Sequence, residues 1–305
     1  MTVVIQCHRL SKSYGKMQAL RNLSFTIEDK KITGLIGRNG AGKTTLQKII
    51  AGFYRKTSGE ITVFGKEPFN SLFVSANSIF VSDEMSFPIS LTLQEILEEA
   101  GQFYANWDGS LAKKLLDYFS LNPKNHYYNL SKGMKSTFNM IVGLTSRCEL
   151  TIFDEPTLGM DAAVRAAVYR ALLKDYLVHP RSIIISSHYL NEIEHLLEDV
   201  LVLKDGEALL HLPMSELKEW AIGVQGETSL VKEWIKTREL IHTEQLGTGR
   251  LYAVVKNQEV TDSDAYCARL EGLKVFKVSP SDLCIYLTNK HQGGIDDVFR
   301  NDEFN

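Results

Sequence analysis

Gly37-Arg38-Asn39-Gly40-Ala41-Gly42-Lys43-Thr44 concentrates the most explicit chemistry in the chain. Its spacing is G-x-x-x-x-G-K-T, in which glycines let backbone N–H groups close around phosphate while the following helix offers its positive N-terminus. The pattern assigns phosphate contacts to Gly37, Asn39, Gly40, Ala41, Gly42 and Thr45, reach toward the β- and γ-phosphates to Lys43, and a Mg2+-ligating hydroxyl to Thr44. ATP with Mg2+ is one fitting ligand. A glycine-rich turn that merely started a helix would need neither the lysine nor the threonine, but this loop alone does not separate kinases, GTPases and ATPases.

Leu150-Thr151-Ile152-Phe153-Asp154-Glu155 adds a buried-strand pattern ending in two carboxylates. Asp154 is placed to hold the metal, directly or through water, and Glu155 to take a proton from the attacking water. Without the glycine loop the same pair reads equally well as an acidic helix start before Pro156.

These groups need a frame. Val3-Val4-Ile5, Phe25-Thr26-Ile27, Lys31 to Ile36 and Ile61 to Phe64 read as strands, the last flanked by Gly59 and Gly65. From about Leu91 to Arg147 the spacing turns helical, with Leu93, Ile96, Leu97 and Ala100 on one face and Leu111, Leu115, Leu116 and Phe119 on another. Two solid apolar runs, Leu150 to Phe153 and Ile183 to Ile185, flank a helix over 162–177, an order that produces a parallel α/β sheet. Val200 to Leu203 before Lys204-Asp205-Gly206 reads as a later strand and turn. Beyond Pro213 the motifs stop, and short strands alternate with short helices, including a hairpin around Gly247-Thr248-Gly249, so a small α+β domain is expected.

The 305 residues suffice for one large domain plus a smaller one, and 44% hydrophobic content supports a core. Lys+Arg 34 against Asp+Glu 37 leaves a charge of -3, which supplies no drive toward nucleic acid or an anionic membrane. Cys7, Cys148, Cys267 and Cys284 are far apart and form no C-x-x-C, which excludes a disulfide framework or zinc cluster as the organising device and fits a reducing compartment. No apolar run approaches the roughly 20 residues that cross a bilayer, so membrane attachment is expected only through a partner.

Leu130-Ser131-Lys132-Gly133-Met134 lies after the helical stretch and shortly before the Asp-Glu strand. In this order the chain resembles the ABC ATPase family over about residues 3–210, with Leu130 to Met134 at the place of its L-S-G-G-Q signature. The resemblance implies an α/β P-loop cassette over 1–213, with a parallel-sheet core, an N-terminal antiparallel β-subdomain and a helical insert at about 88–147; the small α+β domain read beyond it, 214–305, is expected to be an accessory domain. It implies that Ser131 and Gly133 bind the γ-phosphate held by a second cassette, that Tyr14 stacks on adenine, and that Asp161, in Leu158-Gly159-Met160-Asp161, belongs to the loop through which paired cassettes communicate. It gives His188, in Ser186-Ser187-His188, the place of the switch histidine, which acts in catalysis with Glu155 and Lys43. Alone, Ser131 is an ordinary N-cap and His188 a structural histidine.

Four residues depart from the family pattern. Asp83 replaces a glutamine that ligates the metal, Lys132 a signature glycine, Met134 the signature glutamine, and Met160, as a mild change, the usual leucine. The implied protein is a transporter's ATP-hydrolysing subunit at the inner face of the cell membrane, its helical insert docked on transmembrane subunits. It is similar to bacterial export ATPases of bacitracin, lantibiotic, acetoin-related and cytolytic-peptide systems, whose ending Ile295 to Phe299 resembles. A soluble ATPase of the same family and a weakly hydrolysing nucleotide-dependent regulator are the competing expectations. The chain lacks the charged linker between two cassettes and the long heptad insert of the soluble branches, while Glu155 and His188 speak for turnover.

Overall fold

The computed structural model describes residues 2–257, 268 and 272–289 and divides the chain into two compact units, Met1–His211 and Leu212–Asn305. Ile295 to Phe299 and Cys267 lie outside the described residues.

The first unit contains two sheets. β1 (Val3–Tyr14), β2 (Met17–Glu28) and β4 (Ser58–Val63) form an antiparallel sheet in the order β2-β1-β4. β3 (Ile32–Ile36), β5 (Ser78–Val81), β6 (Leu150–Asp154), β7 (Ser182–Ser187), β8 (Asp199–Lys204) and β9 (Glu207–Pro213) form the second, in the order β5-β6-β7-β3-β8-β9. The β5–β6, β6–β7, β7–β3 and β3–β8 pairs are parallel. β3, β6 and β7 are buried at every position, which is why their sequences are continuous apolar runs without alternation. Asp205 and Gly206 both have positive φ, the two-residue turn that joins β8 to β9 as a hairpin.

Helix α1 (Lys43–Ile50) is anchored through Leu46, Ile49 and Ile50, which join Leu10, Leu20 and Leu23 of the antiparallel sheet and Leu35, Ile152 and Ile184 of the parallel one in a single core. Each such side chain contributes roughly 1.5–3 kcal/mol on burial, so the glycine loop is held at a fixed height above β3. After α2 (Leu72–Asn77) come α3 (Leu93–Phe103), α4 (Gly109–Tyr118) and α5 (Lys132–Ser146), which make up the helical insert. Thr92 and Glu95 form a reciprocal capping box on α3, Asp108 caps α4 and Ser131 caps α5.

Helix α6 (Ala162–Val178) links β6 to β7 and carries Asp175, a buried carboxylate between two arginines. Its oxygens accept from Arg147 at 2.9 Å and Arg181 at 2.8 Å, and Arg147 also pairs with the α4 cap Asp108 at 2.9 Å. Arg147 ends α5 with φ at +46, so this network fixes where the insert rejoins the sheet.

The second unit begins with a short helix, α8 (Met214–Leu217), preceded in the first unit by α7 (Leu190–Ile193). β10 (Ala221–Glu227), β11 (Leu240–Gln245), β12 (Arg250–Lys256) and β13 (Lys274–Lys277) form an antiparallel sheet in the order β11-β12-β10-β13. β11 and β12 are the hairpin expected around Gly247 and Gly249, both at positive φ. Val231 and Trp234 of α9 (Thr228–Ile235) pack on Val224, Leu251, Ala253 and Val255, and α10 (Pro280–Thr288) is capped by Ser279. Cys7, Cys148 and Cys284 are buried free thiols, and among the described residues no helix is long and apolar enough to cross a membrane.

Candidate functional site

The glycines of the loop after β3 answer to space as much as to ligand. A Cβ on Gly37 would lie 2.6 Å from the Leu203 carbonyl, and one on Gly42 would lie 2.7 Å from the Ala19 carbonyl with φ at +103. Side chains are excluded at both positions, so the loop lies directly against backbone. Gly40, at φ +82, has open space around it, so its requirement is conformational. Ala41 is buried and its N–H donates to the Arg38 carbonyl at 3.0 Å. The loop therefore closes on itself before α1 begins.

Lys43 is 6% exposed, and its ammonium donates to the Gly37 carbonyl at 2.7 Å, spanning the loop it belongs to. It also stands 3.4 Å from Glu155 Oε1, an ion pair too loose to count as a hydrogen bond, and that oxygen is buried with no hydrogen-bond partner. Glu155 Oε2 accepts from His188 Nδ1 at 2.8 Å. The other carboxylate is held at both oxygens: Thr44 Oγ1 donates to Asp154 Oδ2 at 2.7 Å and Ser186 Oγ to Asp154 Oδ1 at 2.6 Å. Glu155 has φ at +45, which turns its side chain out of the direction of β6, and its N–H donates to Ser186 Oγ at 3.0 Å.

A cleft of about 460 Å³ opens over this group, lined by Arg38, Asn39, Gly40 and Gly42 to Thr45 of the loop and by Glu155. Met17, Gln18, Arg21 and Asp205, with Ala19, complete its wall, none of which the sequence assigned to the site. The first three follow the β1–β2 turn, and only their strand placement brings them to the loop. Gln47, fully buried, donates from Nε2 to the Phe153 carbonyl at 3.1 Å and so ties α1 to the strand that ends in Asp154.

Tyr14, Asp83, Ser131, Gly133 and Asp161 do not line the cleft, nor do Gly37, Ala41, Asp154 and His188, of which Asp154 and His188 are bonded to the lining residues Thr44 and Glu155. Tyr14 ends β1, 40% exposed, edge-on to Tyr54 with the Lys12 ammonium 4.9 Å from its ring centre. Asp83 is exposed just past β5, and the preceding Ser82 carbonyl accepts from the buried Asn139 amide of α5 at 3.0 Å. Asp161 Oδ1 accepts from the N–H groups of Ala163 and Val164, each at 2.9 Å, and so caps α6.

Ser131 Oγ caps α5 by accepting from Met134 N–H at 3.3 Å, and beside it Gly133 packs on the segment over 158–160. A Cβ on Gly133 would lie 2.5 Å from the Gly159 carbonyl, while Ser136 Oγ donates to the Leu158 carbonyl at 2.8 Å. Thr157 Oγ1 lies 3.1 Å from the Tyr169 hydroxyl, whose pKa burial pushes up to about 12, so this phenol keeps its proton at neutral pH. Gly133→Ala is accordingly expected to lower stability by about 1–3 kcal/mol in urea unfolding, the scale of an added carbon in a filled space. An unchanged midpoint would show that the 158–160 segment yields.

The donor set at the cleft suits Mg2+. Thr44 and Asp154 offer hard oxygens 2.7 Å apart, and among the described residues no group of three or more His, Cys, Asp or Glu stands as a self-sufficient metal site. An ion held by one or two protein oxygens and substrate phosphates is the usual arrangement for Mg2+.

A family model described as ABC transporter matches residues 20–158, and an AAA-domain model matches 126–194. Over 222 residues the chain is 31% identical to the ABC transporter ATP-binding protein YtrB of Bacillus subtilis (strain 168), spanning 73% of this chain and 76% of that one. The bacitracin transport ATP-binding protein BcrA of Bacillus licheniformis is 30% identical over 222 residues, 72% of either chain. Among solved structures, the dimeric post-hydrolysis state of the ATP-binding cassette MJ0796 bound to ADP and Pi superposes with a TM-score of 0.61 at 20% identity, covering 69% of this chain and 98% of that one.

Proposed function

This chain belongs to the family of ABC transporter ATP-binding proteins, and from that premise we propose that it hydrolyses MgATP between two cassettes to drive a membrane exporter. The observation that carries the reading is a division of labour within one unit. Lys43, Thr44 and Glu155 line one cleft, with Asp154 bonded to Thr44 and His188 to Glu155, whereas the Ser131 helix start and Gly133 stand outside it on α5 with no bond to those residues among the contacts described. A capped helix N-terminus is an anion site, and outside its own cleft it would serve the phosphate of another cassette.

Each residue has a role in this reading. The N–H groups from Gly37 to Thr45 and the Lys43 ammonium hold the phosphates, and Tyr14 meets the adenine. Thr44 and Asp154, together with Asp83, would hold Mg2+, and the ion would supply positive charge to the phosphate oxygens. Glu155 accepts a proton from water, and His188 holds Glu155 and faces the γ-phosphate. Ser131, Gly133 and Asp161 face the second cassette.

The helical insert is the docking surface for transmembrane subunits, which bring the chain to the inner face of the membrane and select the cargo. The 214–305 unit is an accessory domain with a regulatory or dimer-stabilising role. YtrB is named an ABC transporter ATP-binding protein and BcrA a bacitracin transport ATP-binding protein, which supports membrane transport as the work that hydrolysis drives.

Co-expression with the products of the neighbouring reading frames tests the reading. The expected result is co-purification with an apolar multi-span subunit and phosphate release that rises in the complex. Recovery with ribosomes or DNA instead, or a purified complex that releases no phosphate, would sink the transporter assignment.

A further inference from the structure

Ser186 is fully buried at the next-to-last position of β7, in register with Asp154 on the neighbouring parallel strand. A serine hydroxyl has one proton to give and lone pairs to receive with, and here both capacities are used toward the site. The proton goes to Asp154 Oδ1 at 2.6 Å, and a lone pair receives the Glu155 N–H at 3.0 Å. Since Thr44 holds the second oxygen of Asp154 at 2.7 Å, the carboxylate cannot rotate without breaking one of two short bonds.

The contact to Glu155 bears on a different degree of freedom. Its φ of +45 is a backbone region that non-glycine residues seldom adopt, at a typical cost of about 1–3 kcal/mol, and it persists only where surrounding contacts enforce it. The bond from its N–H to Ser186 is such a contact at the peptide itself. An aliphatic residue at 186 would leave that part-buried N–H without its acceptor and Asp154 with one oxygen unheld.

We propose that Ser186 is a positioning residue for ATP hydrolysis, one hydroxyl setting both the orientation of the Asp154 carboxylate toward the metal and the backbone turn that aims Glu155 at water. The proposal rests on the MgATP reading above and adds a residue that touches neither nucleotide nor metal.

In Ser186→Ala, kcat is expected to fall about 10- to 100-fold, the range seen when partners behind metal ligands are removed, while KM for ATP changes less than about threefold. Mn2+ affinity of the nucleotide complex, read by electron paramagnetic resonance without turnover, should weaken about tenfold. Ser186→Thr, which keeps the hydroxyl, should restore both readouts, which a merely structural role would not predict. Should Ser186→Ala fail to fold, Ser186→Cys, of similar shape but with a weak donor, carries the same expectation. Both readouts within about twofold of an active wild type would overturn the Ser186 proposal alone, since a tenfold effect corresponds to only about 1.4 kcal/mol and would be resolved. A wild type that neither binds nor hydrolyses ATP would overturn the MgATP reading, and this proposal with it.

Discussion

Glu155→Gln is expected to reduce ATP turnover by about 100- to 1,000-fold while leaving nucleotide binding intact, the loss typical of a removed general base. The substitution keeps shape and removes only the capacity to accept a proton. The amide oxygen can still accept from His188 Nδ1, now 2.8 Å from Glu155 Oε2, and the backbone bond to Ser186 is untouched. What disappears is the charge at Oε1, the buried oxygen with no hydrogen-bond partner, 3.4 Å from the Lys43 ammonium. Phosphate release and equilibrium nucleotide binding, measured side by side, check this. If hydrolysis is the event that separates two cassettes, light scattering should also find the variant as an ATP-dependent dimer. Turnover within about threefold of wild type would remove Glu155 from the role of base, because such a change lies below the smallest general-base contribution.

Lys43→Ala should abolish measurable turnover and weaken ATP binding by about 30- to 1,000-fold, which corresponds to roughly 2–4 kcal/mol. The expected size follows from the setting. Lys43 is almost wholly buried, with its amine 2.7 Å from the Gly37 carbonyl and 3.4 Å from Glu155. Its removal deletes the cation that phosphate would meet, leaves the Glu155 carboxylate without its counter-charge, and unties the loop from its own first residue. Lys43→Arg should not rescue, because a guanidinium is planar and larger than the space the ammonium fills. Isothermal titration with ATP and Mg2+ measures the effect, and unchanged affinity would exclude the phosphate role. The two variants are distinguishable: one binds without turning over, and the other loses both.

Much of the frame was legible because its chemistry demands particular residues. Gly37 and Gly42 face backbone carbonyls at distances no side chain tolerates, so the space the fold leaves and the phosphate contacts proposed for the loop call for the same residues. The buried strands β6 and β7 were equally plain, since burial on both faces leaves only apolar choices. The β1–β2 hairpin was read only as fragments at Val3 to Ile5 and Phe25 to Ile27. Register shifts along β1 break the alternation that marks a strand, and its far end, Lys12, Ser13 and Tyr14 opposite Leu20, Gln18 and Met17, is half-buried to exposed on the β1 side and largely polar. The same obscurity hid Met17, Gln18 and Arg21 as cleft residues.

Ser186 was passed over for another reason. Nothing in Ile183-Ile184-Ile185-Ser186 distinguishes a serine that orients a carboxylate from one that ends an apolar run; only the parallel register of β6 and β7 supplies the difference. Ser131 and Gly133 were singled out through motif order, but the close seat of Gly133 on the Gly159 carbonyl belongs to tertiary structure.

That seat limits how the protein can be re-engineered. Residues 130–134 look portable, a short motif to be exchanged with a relative to alter cooperation between subunits. With Gly133 against Gly159 and Ser136 bound to Leu158, the motif and the turn beyond β6 are cut to one template. A graft of the first without the second would join mismatched halves, so a working chimera has to carry 157–161 along with it.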